Sequence, residues 1–121
     1  MNRANATRME AACSLLAESE RRYLLYLLAE TESANLEDFT GQIAAWERDV
    51  PVSQVGKDAR QLVYVTMVHN HLPRLADYDI IEYDLRSGDV VLAEGFDDIR
   101  PLLEQFKQTE EVPELRQRPP L

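Results

Sequence analysis

The feature that most constrains this chain is a change of period near its middle. From Asp58 to Ala76 apolar residues recur at helical spacing. From Ile80 to Asp84 and again from Asp89 to Leu92 they follow two short strand patterns around the turn "LRSG". In the helical part Leu62, Val65, Val68 or His69, Leu72 and Leu75 make one stripe, which is expected to be buried. Arg60, Tyr64, Met67, His71 and Arg74 follow at spacings of 4, 3, 4 and 3 and share the other face. Asp58 is placed to cap this helix. Pro73 cannot donate to the carbonyl of His69 and clashes with it, so a kink or a division into two pieces is expected there. "DYD" from Asp77 is a polar corner, and Gly88 can take the positive φ of a hairpin turn.

Upstream the pattern is helical. Ala12, Leu15 and Leu16 make one stripe, and Leu24, Leu27 and Leu28 another. Ser19 between them, with Glu20 in the next turn, reads as an N-cap. Two helices over about 9–17 and 20–30 are expected, with one bent helix as the alternative. "TESAN" from Thr31 is a polar connector whose Asn35 can cap the next helix. Leu36, Phe39, Ile43 and Trp46 then give one face of a helix over about 36–48, with Glu37 and Asp38 at its positive end. Gly41 lowers helix propensity by about 1 kcal/mol relative to alanine, and either permits close packing or is merely tolerated. Pro51 stops the helix, and "VPVSQVG" is a loop with room for one short helical turn.

Downstream, "DDIRPLLEQFKQTEE" predicts a further helix with Ile99, Leu102, Leu103 and Phe106 on one side, and Pro101 fits only near its first turn. The expected organisation is a disordered 1–8, a domain over 9–94, a helix over 95–111 that is a candidate for dimerisation, and a disordered, proline-bearing 112–121.

Composition narrows the setting. The 121 residues fit one domain, and 45% hydrophobic content supports one modest core. Apolar runs such as "YLLYLLA" from Tyr23 are too short to cross a bilayer, and no signal-peptide pattern is visible. The lone Cys13 cannot form an internal disulfide, so a cytoplasmic protein is expected. The net charge is −9, and only Lys57 and Lys107 are lysines. An acidic, lysine-poor surface suits a protein that stays hydrated in very high salt; the alternative is an ordinary acidic mesophilic protein. The charge is uneven: residues 1–55 carry −4, 56–76 carry +2 and 77–121 carry −7.

Three helices followed at once by a hairpin give a mainly α chain with a small β-hairpin, in the order of a winged helix-turn-helix. In that layout the helix before the hairpin meets the DNA major groove and the hairpin is the wing. "LLAESERRYLLYLLAE", "LEDFTGQIAAWERDVPV" and "VYVTMVHNHLPRLADYDIIEYD" carry a resemblance. Their features are Arg21 and Arg22; Ala45, Trp46 and Glu47; and His71, Leu72 and Pro73. Together they are similar to an uncharacterised winged-helix domain family abundant in halophilic archaea, over about residues 13–93. The resemblance implies a winged-helix fold, a haloarchaeal cytoplasm and, loosely, a role in transcription.

Sharper chemical readings find little support. His69 and His71 are two apart, so on a helix they point about 200° from one another, against metal binding. His69 is expected at the edge of the core and His71 facing solvent or phosphate. There is no glycine-rich phosphate loop, nucleophile elbow or paired-cysteine motif, so an enzyme is not indicated and no cofactor or small-molecule ligand is implied. The expectation is binding of double-stranded DNA by a homodimer, through Lys57, Arg60, Gln61, Tyr64, Met67, Asn70, His71 and Arg74, with Arg86 at the hairpin tip. The acidic balance opposes it, since DNA-binding domains usually show a basic footprint. The alternative is a protein-interaction module of the same fold.

Overall fold

The structure, a computed structural model, describes residues 3–110, with side chains from 7 onward. The expectation of a disordered 112–121 lies outside the described residues. Helix α1 (Arg3–Leu16) begins well before the expected residue 9, and α2 (Ser19–Thr31) follows after a short break. Ser19 is the first helical residue rather than the cap; Glu18 holds the cap position and makes no side-chain cap bond. Strand β1 (Ser33–Asn35) leads into α3 (Leu36–Arg48), whose Asn35 accepts a hydrogen bond from the Glu37 amide at 3.1 Å. After Pro51 comes one 3₁₀ turn (Val52–Gln54).

The next helical run has three parts: α4 (Lys57–Thr66), a π turn (Met67–His71) and α5 (Leu72–Asp77). Gly56, not Asp58, caps it; Asp58 lies in the first turn, favourable to the helix dipole. The rod does not divide at Pro73. Leu72 donates to the carbonyl of Met67, so the ladder widens by one residue just before the proline that cannot bond to it. This shifts the phase of the helix. Ala59, Val63, Met67 and His71, four apart, face inward, and Leu72 and Leu75 continue that face. Leu62 at 61% and Val65 at 41% exposure face water, against the expected stripe.

The hairpin is β2 (Ile81–Asp84) and β3 (Asp89–Leu92), turned through Gly88 at φ +80°. The sheet has three strands, not two, because β1 pairs with β3: Ser33 opposite Val91, Ala34 opposite Val90 and Asn35 opposite Asp89. The order is β1-β3-β2, all antiparallel. Helices α2, α3 and α4, with β1 between the first two and the hairpin after the third, make a mainly α, winged-helix arrangement.

Helix α6 (Phe96–Thr109) packs on the same core. Ile99 and Leu103 are buried and Leu102 and Phe106 pack against them, so its apolar stripe is used within the chain. Pro101 lies beyond the first turn, further in than expected. The far end is anchored on α2. Arg22 grips Glu110 through two bonds of 2.7 and 2.9 Å, Tyr26 donates to the same carboxylate, and the guanidinium lies 5.0 Å from the centre of the Phe106 ring. Burial works to raise Glu110, but its bonds to Arg22 and Tyr26 outweigh that and hold it below the ordinary carboxyl value.

Candidate functional site

Helix α4 meets the core along one edge only. Val63 is its single buried residue, Ala59 and Thr66 are half-buried, and the remainder face water. The outward surface has three parts. Leu62, Val65 and, within the π turn, His69 are exposed. Toward α3, Arg60, Gln61 and Tyr64 join Glu37 and Thr40 around a cleft of about 390 Å³. The Arg60 guanidinium lies across Gly41: a Cβ there would stand 3.0 Å from its Cζ. The glycine in α3 leaves room for this guanidinium, the far end of an exposed side chain that can also move aside. Beyond the π turn, Arg74 donates from Nε to Asn70 at 3.3 Å and lies near enough to Arg21 of α2 to act on its pKa. Arg60 and Arg74, expected on one stripe, thus look toward different neighbouring helices.

Lys57 is exposed at the start of α4, and Arg86 is exposed in the hairpin turn. That turn is well tied. The Arg86 amide donates to Asp84 Oδ1 at 2.8 Å, and Asn35 Nδ2 donates to the Ser87 carbonyl at 3.0 Å and to Asp89 Oδ1 at 3.1 Å. Among the described residues, Lys57, Arg60, Arg74 and Arg86 make no ion pair with a carboxylate. Seven of the nine expected contact residues are therefore open to a partner.

Met67 and His71 are the two corrections. Met67 is fully buried and His71 is 2% exposed, because the π turn rotates both inward. The expected roles of the histidines are reversed, with His69 in solvent and His71 in the core. His71 is the centre of a buried polar network. Arg21 Nε donates to His71 Nδ1 at 2.9 Å, and Arg21 Nη1 reaches the carbonyls of Ser14 and Leu15 at 3.1 and 3.3 Å. A guanidinium can only donate, so Nδ1 is an acceptor and the imidazole proton sits on Nε2. From there it is donated to Glu20 Oε1, 3.0 Å away. Burial works to raise Glu20, but hydrogen bonds with His71 and Glu47 outweigh it and hold Glu20 below its ordinary value. Glu47 lies at the exposed edge of the network, where partial burial and the adjoining Glu20 carboxyl push it up to about 7. Burial also lowers the pKa of Arg21; Glu18 opposes this and Arg74 adds to it.

Sequence reasoning missed this network, although the residues carrying the family resemblance contained its parts. Arg21, Glu47 and His71 come from the three separate motifs, and the fold joins them through Glu20. The network ties the π turn to α2 and, through Glu47, to α3. Among the described residues no group of three or more histidine, cysteine, aspartate or glutamate side chains is placed to hold a metal. No described helix is long and apolar enough to cross a membrane.

Comparison with known proteins gives one match. A domain of unknown function, DUF7344, matches residues 13–91, from the end of α1 to the hairpin. No curated protein and no solved structure matches.

Proposed function

The chain belongs to the DUF7344 family, and for this member we propose a winged-helix DNA-binding regulator, acting as a homodimer in the cytoplasm of a halophilic archaeon. The observation that carries the reading is the outward surface of α4. It has an apolar centre, Leu62 and Val65, flanked by Arg60, Gln61 and Tyr64 on one side and by Asn70 and Arg74 on the other. Arginine suits guanine edges, glutamine and asparagine suit adenine, and exposed apolar groups suit thymine methyls. Lys57 and Arg86, at the helix start and in the wing, are placed for phosphates.

The net charge of −9 bears on the conditions rather than the surface. At molar salt the Debye length is about 3 Å, so acids a turn away hardly reach the duplex. Counterion release then contributes little, and affinity rests on base contacts, shape and burial. The test is fluorescence anisotropy with genomic fragments in molar potassium chloride. Arg60→Ala with Arg74→Ala should weaken binding to the preferred fragment by about tenfold or more, as loss of one good base contact would. Unchanged affinity in the double variant would sink the assignment.

One observation favours a second reading. Leu62 and Val65 are exposed on α4, an apolar centre with Arg60, Gln61 and Tyr64 at its rim that a protein partner would also use. Crosslinking in native salt separates the two. Enrichment of DNA supports the first, and enrichment of one protein without DNA supports the second.

A further inference from the structure

A groove of about 350 Å³ opens between α1, the corner after α5 and the start of α6. Its floor is apolar: Leu15 and Ile99 are buried there, and the small Ala11 and Ala12 leave the space open. Tyr78 stands at its lip, 52% exposed. The two helices that flank the groove carry opposite charges. Arg8 belongs to α1 and Asp98 to α6, and neither is in an ion pair among the described residues.

We propose that this groove is the contact surface for a second copy of the chain. The argument is complementarity with itself. A two-fold axis sets the same patch against its own image. Arg8 of each copy then meets Asp98 of the other, so both pairs form at once, whereas a partner of uniform charge satisfies only one wall. Tyr78 of each copy enters the opposite groove. An apolar cavity of about 150 Å³ takes a benzene ring, so this one admits a phenol ring with room to spare. The apolar contact supplies the affinity and the charge pairs set the register, since exposed pairs contribute at most about 1 kcal/mol each. Two copies bring together a net −9 each, so association strengthens as salt screens the repulsion. The surface rests on the two-fold part of the function proposed above. Oligomeric state is measured without DNA, so failure here and failure of DNA binding are told apart.

The test is sedimentation equilibrium of the full chain at a salt concentration where the wild type is half dimeric. Arg8→Glu alone and Asp98→Arg alone each place like charges together twice, and each should raise the dissociation constant by about tenfold. An equimolar mixture of the two variants restores both opposite-charge pairs and should recover wild-type association as a heterodimer. Tyr78→Glu, at an exposed position, should give monomer that melts where the wild type melts when diluted to monomer. The proposal is overturned if the wild type stays monomeric from low to molar salt, if the single charge variants associate like the wild type, or if mixing them recovers nothing.

Discussion

Helices α3 and α4 are neighbours of similar length with opposite relations to water. Of the 13 residues of α3, eight are buried; of the ten of α4, only Val63 is. Helix α3 is enclosed because its apolar stripe is backed by small residues, Gly41, Ala44 and Ala45, which let other elements close on its remaining sides. Helix α4 has the reverse design. Its inward edge is thin and its bulkier Leu62 and Val65 point out. One helix is therefore scaffold. The other runs into the π turn held by the His71 network and leaves its outer face to solvent along its length.

The sharpest way to break this comparison is to truncate α3. Phe39 is 2% exposed within the core, and Phe39→Ala should cost about 3–5 kcal/mol, as large-to-small changes in packed cores do. Chemical denaturation measures it. A loss under about 1 kcal/mol would mean that α3 is no more structural than α4.

His71→Ala tests whether the π turn belongs with α3 in its energetics. It removes the side-chain acceptor of a buried guanidinium and the donor to Glu20. Arg21 keeps two backbone carbonyls, so the expected loss is about 2–3 kcal/mol, short of that for a fully orphaned charge. His71→Phe, which restores volume but neither hydrogen bond, should not recover it. Recovery by phenylalanine would show that packing alone matters there.

The same network gives the pH profile a shape. Folded Glu47 holds its proton up to about pH 7, against an ordinary value of 4.5, so its contribution to stability is whole below about 4.5 and is lost as pH rises through about 7. Glu20 and Glu110 are held below the ordinary value, so their contribution is present above it and is lost as pH falls. Melting temperature against pH should decline on both sides. Glu47→Gln should flatten the neutral side and leave the acid side in place. An unchanged neutral slope would remove Glu47 from the network.

Much of the enclosed half was legible in the sequence. The stripe Leu36, Phe39, Ile43 and Trp46, the Asn35 cap and the stop before Pro51 locate α3 as observed. The strands around Gly88 and the α6 stripe were legible for the same reason, a regular period bounded by strong local signals. Three features were not. Strand β1 is "SAN", with no strand propensity of its own, and exists because β3 supplies its partner. The π turn inserts one residue per turn, and a template of 3.6 has no place for it; that single slip exchanges Leu62 and Val65 with Met67 and His71 between surface and core. The polar network pairs Arg21 with His71 across 50 residues, a distance over which no local pattern speaks.

The smallest expected effect on stability is the most informative about α4. Leu62→Ala with Val65→Ala removes apolar surface that already faces water, so folding should change by no more than about 0.5 kcal/mol per site. If the outer face of α4 is a contact surface, the same pair should weaken the partner complex by about tenfold or more, since burial of such side chains contributes about 1.5–3 kcal/mol each. That split between folding and binding separates a surface kept for a partner from one that is merely unburied. A double variant that loses stability like Phe39→Ala would place Leu62 and Val65 in the core, and the contrast between the two helices would fall.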